Sequence, residues 1–240
     1  MYQGKKILAV IPIRGNSKSI KDLNIYPIYK IPLFLLSAEE AKKSKYIDTI
    51  CISTDSMKYA LIAEQNGFII PFIRPSFLST DDAKIIDVIV DARDYYRRKN
   101  KEYDCIITLL ATAPLKTVDD IDNAIEMYFK NAEKSLVSIT DCFEVPQLIR
   151  TIEDNKLKAI VNMSSTYNKN YLPKYYKVNE AIYINAFSEI NSKVSLNDNE
   201  IGFYMPLDRS VSIKSQKDIK TVRTVIKGQK VREYLQERKK

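Results

Sequence analysis

The stretch Ile7–Asn24, ILAVIPIRGNSKSIKDLN, decides the fold of this chain. Its first part, Ile7–Pro12, is an apolar run with the length and composition of a buried β-strand. The run ends at Arg14–Lys18, which contain one glycine, one asparagine, one serine and two cations. A hydrophobic strand that leads into such a loop is typical of a phosphate site at the carboxyl edge of an open α/β sheet. The loop matches neither G-x-x-x-x-G-K-S/T nor G-x-G-x-x-G, the usual nucleotide-binding fingerprints. An ordinary turn with solvated charges therefore stays an alternative.

Composition narrows the class of protein. The 240 residues suit a single domain, and a hydrophobic fraction of 45% is enough for a sizeable core. The absence of histidine excludes histidine triads, histidine metal ligands and imidazole acid–base chemistry. The three widely spaced cysteines are typical of small buried side chains in a reducing compartment, so we expect a cytoplasmic protein.

The charge balance favours a small anionic ligand. The chain has 38 basic and 30 acidic residues, which gives a net charge of +8. The cations are scattered and are not interleaved with aromatic residues, so we interpret most of them as solvated helix faces and expect no nucleic-acid partner. No apolar stretch approaches the length that a membrane span needs, and we expect no membrane association.

Strand and helix patterns alternate five times up to residue 140. The predicted strands are Ile7–Pro12, Thr49–Ser53, Phe68–Ile73, Asp104–Leu110 and Ser135–Thr140. The predicted helices begin at Pro32 and then cover Met57–Asn66, Ala83–Lys99 with an N-cap in Thr80–Asp82, and Val118–Asn131 capped by Thr117. The connections are too long for hairpins. The sequence therefore predicts an α/β fold with a mostly parallel central sheet and helices on both faces.

The pattern changes after residue 140. A hairpin is predicted around Asp154-Asn155, followed by a core strand Ala181–Ala186, a last strand Gly202–Met205 and a helix Lys217–Glu237. We expect one domain over residues 1–240, in which 141–178 form an inserted lid, a dimerisation arm, or both.

Polar loops follow four of the predicted strands. They carry Arg14–Lys18, Asp55, Arg74 and Thr112–Lys116. Because ligands of parallel sheets bind outside the carboxyl ends of the strands, the sequence predicts a binding site where these loops converge. Asp55 has a second reading as a cap of the helix that follows it.

Five segments together resemble one family. They are PIRGNSKSI (12–20), ISTDS (52–56), PFIRPSFLSTDDA (71–83), LLATAPLKTVDDID (109–122) and YKVNEAIYI (176–184). In this order the chain resembles the acylneuraminate cytidylyltransferases, the CMP-sialic acid synthetases and their relatives acting on other nonulosonic acids. The resemblance implies a Rossmann-like nucleotidyltransferase fold and a homodimer with the inserted arm at the partner's site. The implied reaction is Mg²⁺-dependent transfer of CMP from CTP to a nonulosonic acid, with release of pyrophosphate.

The resemblance also assigns residues by position. For CTP it implies Arg14, Gly15, Asn16, Ser17, Lys18, Asn24, Arg74 and Ala83, and for the sugar it implies Thr112, Lys169, Lys177 and Asn179. Arg14, Lys18 and Lys21 are the implied catalytic cations. Lys21 enters because Leu23 stands where the family usually has a phosphate-binding lysine.

Several positions depart from the family pattern. Ser212 and Lys214 stand where two aspartates usually hold Mg²⁺, and Glu180 replaces the glycine of an Asn-Gly-Ala turn. The segment Ala111–Lys116 lacks the glutamine that meets the sugar. A lysine at 214 would repel a metal ion, or would partly replace its charge against a phosphate.

These departures leave three functional hypotheses. The first is a working cytidylyltransferase. The second is a catalytically impaired family member, a pseudoenzyme that binds nucleotide, sugar or an active paralogous subunit. The third is a binding module unrelated to nucleotides.

Overall fold

Ten β-strands and five α-helices form within residues 1–17, 19–166 and 172–237, the part of the chain that our computed structural model describes. The strands are β1 Ile7–Pro12, β2 Pro27–Ile28, β3 Ile31–Pro32, β4 Thr49–Ser53, β5 Cys105–Leu109, β6 Leu136–Cys142, β7 Arg150–Glu153, β8 Lys156–Ala159, β9 Tyr175–Ala186 and β10 Ile201–Tyr204. The α-helices are α1 Leu33–Lys43, α2 Met57–Gln65, α3 Ile85–Arg98, α4 Val118–Lys130 and α5 Gln216–Glu237. None of the helices within these residues is long and apolar enough to cross a membrane.

A six-stranded sheet in the order β10-β6-β9-β5-β1-β4 is the centre of the molecule. β1 pairs in parallel with β4 and β5, and β6 pairs in parallel with β10, which confirms the mostly parallel sheet. β9 is antiparallel to both of its neighbours, with Ile182 opposite Leu109 at the end of β5. Its first half therefore extends to the edge of the sheet where the parallel strands end.

Both faces of the sheet are covered. Ile7, Ala9 and Ile11 of β1 pack with residues of α1, α2 and α4, whereas Leu8 and Val10 pack on the other face with α3. This alternation along one fully apolar strand is what a strand buried between two helical layers requires. The prediction of helices on both faces is confirmed.

A third apolar group joins the opening loop and helix α5 to the segment after β5. Leu23, Leu115, Ile213 and Ile219 pack together, so the opening loop, the segment after β5 and helix α5 share one small core. Leu23 thus has a packing role: it is 5% exposed. Burial of the Leu23 side chain stabilises this core through the apolar area removed from water.

Two local predictions are wrong. Phe68–Ile73 is not a strand of the sheet, because only a single bridge joins Ile73 to Thr54 and Ile69 is 82% exposed. Gly67 with its positive φ precedes the run, Pro71 interrupts it and Pro75 follows it, and proline cannot donate to a strand ladder. Helix α3 begins at Ile85 after Lys84, so Thr80–Asp82 do not cap it.

Two other local predictions are confirmed. Thr117 caps α4 in a capping box, in which its side chain accepts from the Asp120 N–H and the Asp120 carboxylate accepts from the Thr117 N–H. β7 and β8 form the predicted hairpin, with positive φ at Asp154 and Asn155. Two left-handed residues in succession match the twist of a two-residue hairpin turn.

Candidate active site

An open cavity of about 1000 Å³ lies at the carboxyl edge of the sheet. Its walls include eight positions singled out from the sequence: Arg14, Ser17, Asn24, Arg74, Ala83, Thr112, Ser212 and Lys214. The convergence of loops predicted from the sequence is thus realised in one cavity. Five further predicted residues are described but do not line it: Gly15, Asn16, Lys21, Lys177 and Asn179. Lys18 and Lys169 lie outside the described residues.

The loop after β1 is fixed by its neighbours. Asn24 Nδ2 donates to the Arg14 carbonyl at 3.0 Å, and the Gly15 N–H donates to Asp55 Oδ1 at 2.8 Å. A Cβ atom at Gly15 would lie 2.7 Å from Ser56 Cβ, so the close approach requires glycine. Asn24 and Gly15 therefore shape the loop that presents Arg14 and Ser17.

Arg74 is a buried cation in the wall of the cavity. It is 3% exposed, its Nε donates to Ser79 Oγ at 3.0 Å, and its Nη2 lies 3.6 Å from Asp55 Oδ1. Burial lowers the pKa of the Arg74 guanidinium, and the charge of Asp55 opposes this shift. Ser56 caps helix α2 by accepting from the Tyr59 N–H. Asp55 therefore links Gly15 to Arg74 and does not act as the cap.

Arg14 joins the first loop to the residues before α3. Its Nη1 donates to the Thr80 carbonyl and to Asp81 Oδ1, each at 3.3 Å. The side chain is 36% exposed, so part of the guanidinium faces the cavity. Thr80 and Asp81, expected from the sequence to begin a helix, instead position this cation.

Lys116 is buried beneath the loop that follows β5. Its Nζ donates to Ser37 Oγ at 2.8 Å, to the Leu110 carbonyl at 2.8 Å and to the Ala113 carbonyl at 2.6 Å. Burial lowers its pKa to about 7, while Asp120 and Glu40 act in the opposite direction. The lysine thus holds the backbone that presents Thr112 and does not itself reach the cavity.

Asn179 is in the interior of the sheet. It lies in the irregular part of β9, where the pairing with β6 shifts between Val137 and Ile139. Its Oδ1 accepts from the Ala181 N–H at 3.2 Å and its Nδ2 donates to Ser210 Oγ at 2.9 Å. With 4% exposure, Asn179 stabilises this irregular turn, and its implied sugar contact stays a prediction.

The next residue, Glu180, reaches the cavity. It has a positive φ of 60°, and its carboxylate accepts from Ser212 Oγ at 2.7 Å and from Lys214 Nζ at 3.0 Å. Glu180, at the position where the resemblance implies glycine, therefore accepts hydrogen bonds from both residues at the positions where it implies aspartates. Sequence reasoning named each substitution, but their direct contact follows only from the antiparallel placement of β9.

The segment with Ser212 and Lys214 is held at both ends. Arg209 Nε and Nη2 donate to the two carboxylate oxygens of Asp120, each at 2.9 Å. Further along, the Ile213 N–H donates to the Thr112 carbonyl at 2.8 Å. The contact with Asp120 raises the pKa of Arg209. Together the two contacts fix the segment beside the loop after β5.

The side chains present here do not fit a Mg²⁺ ion held by two protein carboxylates. Ser212 supplies a hydroxyl and Lys214 an ammonium, and both oxygens of Glu180 already accept hydrogen bonds. Mg²⁺ prefers one or two carboxylates together with phosphate oxygens. Within the described residues no group of three or more acidic or cysteine side chains is arranged to hold a metal ion.

The described walls of the cavity carry more positive than negative side chains. Five cations line it, Arg14, Arg74, Lys84, Lys193 and Lys214, against two carboxylates, Asp81 and Glu180. This excess favours an anionic ligand. Lys21 is exposed and adds nothing to these walls, and Lys177 points to Glu144, with 4.0 Å between Nζ and Oε2.

One wall of the cavity was missed by sequence reasoning. Tyr183 of β9 and residues 192–197 line it, and the Tyr183 hydroxyl is 3.1 Å from Asn197 Oδ1. Tyr183 sits inside an apolar strand pattern, and 192–197 have the polar composition of an ordinary surface loop. Neither pattern indicates a binding wall before the strand order is known.

The comparison with protein families identifies the family of this chain. The cytidylyltransferase family model matches residues 8–231. The chain belongs to the cytidylyltransferase family. This confirms the resemblance that was based on five sequence segments.

Individual relatives agree with the family match. The chain is 31% identical over 228 residues to the post-translational flagellin modification protein B of Campylobacter coli, covering 92% of this chain and 95% of that one. It is 28% identical over 224 residues to an N-acylneuraminate cytidylyltransferase of Escherichia coli O18:K1:H7, and spans 52% of that longer protein.

A solved structure shows the same fold. The CMP:2-keto-3-deoxy-manno-octonic acid synthetase complexed with CTP aligns with a TM-score of 0.71, at 13% identity, over 93% of this chain and 99% of that one. At this identity the likeness concerns the fold alone, and it confirms the nucleotidyltransferase architecture.

Proposed function

We propose that this cytidylyltransferase transfers CMP from CTP to a nonulosonic acid of the sialic type and releases pyrophosphate. The acceptor hydroxyl oxygen forms a bond to the α-phosphorus of CTP, the α–β phosphoanhydride bond breaks, and the hydroxyl proton is lost. Charge spreads over the phosphate oxygens during such a transfer, so positioning and cations do most of the work.

The observation that carries the proposal is the cationic cavity formed by the family's own segments. Arg14 and Arg74 come from two different loops. Asp55 Oδ1 accepts from the N–H of Gly15, the residue after Arg14, at 2.8 Å and lies 3.6 Å from Arg74 Nη2. A common carboxylate thus keeps the two cation-bearing loops in register. In this proposal Arg14, with Ser17 and Lys18, contacts the triphosphate, and Arg74, with Ala83, shapes the wall around the nucleoside.

The acceptor half of the proposal rests on the remaining walls and on the relatives. The E. coli relative is an N-acylneuraminate cytidylyltransferase and matches 92% of this chain. Thr112, Lys177 and Lys169 are proposed to serve the acceptor, whose carboxylate favours the cationic surroundings. The polar wall at Tyr183 and Asn197 supplies further hydrogen-bonding groups beside Thr112.

The direct assay measures pyrophosphate release from CTP with a panel of nonulosonic acids in the presence of Mg²⁺. We expect release that requires both CTP and an acceptor, and that falls by about 100-fold in Arg14→Met because a cation at the triphosphate is lost. The matched control is Arg98→Met, which removes an arginine at the exposed end of α3. No release with any acceptor, from protein that still binds CTP, would favour the impaired family member.

We also propose a homodimer that uses the inserted segment. Large apolar side chains there are exposed, including Phe143 at 78%, Ile152 at 69% and Leu157 at 73%. A second copy of the chain would bury them. A cytoplasmic location completes the proposal, and the free state of Cys51, Cys105 and Cys142 is compatible with a reducing compartment.

A further inference from the structure

Relative to the pattern that the resemblance implies, the acidic side chain stands at position 180 instead of at 212 and 214, and a lysine stands at 214. The pattern has glycine at 180 and aspartates at 212 and 214. Here the carboxylate is at 180, and it accepts from Ser212 Oγ at 2.7 Å and from Lys214 Nζ at 3.0 Å. The substitutions are therefore complementary in space, although 32 and 34 residues separate the partners in the chain.

Resting on the function proposed above, we propose that the Lys214 ammonium, oriented by Glu180, is the protein-held cation that contacts the CTP phosphates on this side of the cavity. A metal ion held by two carboxylates presents positive charge to a phosphate. An ammonium held by one carboxylate also presents positive charge. An ammonium has three N–H donors, and Glu180 Oε1 accepts from Lys214 Nζ, so two donors remain for phosphate oxygens.

The backbone supports this arrangement. Glu180 has a φ of 60°, in the left-handed region that costs a glutamate free energy, and it keeps this conformation in the hydrogen-bonded turn of β9. That turn directs the carboxylate to the segment around Ser212. The segment itself is fixed, because the Ile213 N–H donates to Thr112 and the Lys214 N–H donates to Asp218 Oδ2 at 3.0 Å.

The exposure of the pair allows contact with a ligand. The Lys214 side chain is 70% exposed and the Glu180 side chain 35%, and both residues line the cavity. Arg14 and Ser17 line the same cavity from the loop after β1. An anion held by that loop therefore lies in the same cavity as the ammonium, where charge-assisted hydrogen bonds are stronger than neutral ones.

The first experiment measures the affinity for CTP by calorimetry in the presence of EDTA. We expect Lys214→Met to weaken CTP binding by about tenfold, the value of one charge-assisted hydrogen bond. We expect its affinity for cytidine, which has no phosphate, to change by less than about twofold. Lys214→Arg should keep the CTP affinity within about threefold of the wild type, because the charge is retained.

The matched control is Lys217→Met. Lys217 is an exposed lysine of the first turn of α5, and it is not among the described residues that line the cavity. Its loss changes the net charge of the protein by the same amount. We expect its affinity for CTP to stay within about twofold of the wild type, as for a surface charge.

The second experiment reverses the exchange with the triple variant Glu180→Gly, Ser212→Asp, Lys214→Asp. We expect Mg²⁺ to strengthen its CTP binding by more than about tenfold, because two carboxylates near a triphosphate favour the ion. Mg²⁺ should change the CTP affinity of the wild type by less than about threefold, because the Lys214 ammonium is already present.

The outcomes separate the inference from the proposed function. CTP binding by the wild type with unchanged affinity in Lys214→Met would overturn the inference and leave the proposed function intact. Absence of CTP binding by the wild type, with and without Mg²⁺, would overturn the proposed function itself.

Discussion

At the residue scale, we expect the buried side chain of Lys116 to make the free energy of unfolding depend on pH. The side chain is fully buried, and burial lowers its pKa from 10.5 to about 7. Between these two values the unfolded chain binds more protons than the folded chain, so the free energy of unfolding rises with pH. Below about pH 7 the lysine is charged in both states and the cost of burying its charge is fully present.

The comparison of wild type with Lys116→Met isolates this group. We expect the difference in their free energies of unfolding to shift in favour of the wild type by about 2 kcal/mol between about pH 7 and 9, in urea titrations. Groups shared by the two proteins cancel in this difference. A difference that stays constant over this range would mean that Lys116 keeps an ordinary pKa in the fold.

The sequence predicts some of the residues that line the cavity and not others. Arg14, Ser17 and Arg74 were found because the chain carries them directly after apolar runs, and strand ends gather at one edge of a parallel sheet. The sequence singles out Glu180, but it does not predict the contacts of Glu180 with Ser212 and Lys214 or the cavity wall at Tyr183. Both residues belong to β9, and no local pattern states that this strand runs antiparallel between β5 and β6.

At the element scale, the contact between α4 and the segment after β10 positions Ser212 and Lys214. Asp120 belongs to the capping box of α4 and also accepts two hydrogen bonds from Arg209. It is 4% exposed. One carboxylate thus joins the start of a helix to the rim of the cavity.

We expect Asp120→Ala to lower the free energy of unfolding by about 3 kcal/mol, because it removes the carboxylate of the capping box and leaves Arg209 without its partner. Urea titration measures the change. Asp119→Ala removes the same charge one residue earlier, at an exposed position, and should cost less than about 0.5 kcal/mol. Equal effects of the two substitutions would show that Asp120 acts only through charge near the helix start.

Elements were predicted well where one pattern determines them. The capping sequence at Thr117 and the Asp154-Asn155 turn gave α4 and the β7–β8 hairpin, since both depend on local hydrogen bonds and backbone preferences. Phe68–Ile73 has an equally apolar composition, yet it pairs at a single bridge. Whether this segment pairs as a strand depends on the neighbouring edge strand and on two prolines. Apolar periodicity does not indicate either of them.

At the scale of the whole molecule, the exposed hairpin tests the proposed dimer. Ile152 and Leu157 lie opposite each other in the hairpin and are 69% and 73% exposed. We expect the wild type to elute as a dimer in size-exclusion chromatography with light scattering. Ile152→Asp with Leu157→Asp should elute as a monomer, because two carboxylates would have to be buried in the interface.

Ile69→Asp is the control for the hairpin variant. Ile69 is 82% exposed and lies outside the inserted segment, so this variant should remain a dimer. A monomeric wild type, or a dimer that survives both hairpin substitutions, would contradict the proposed role of the inserted segment.

The central claim is that this cytidylyltransferase moves the α-phosphate of CTP, with its cytidine, onto a nonulosonic acid. The most direct measurement follows the fate of CTP labelled with ³²P at the α position, in parallel with CTP labelled at the γ position. We expect the α label in a product that also contains the sugar acid, and the γ label in pyrophosphate. Recovery of both labels in unreacted CTP, from protein that binds the nucleotide and is offered the full acceptor panel, would contradict the claim.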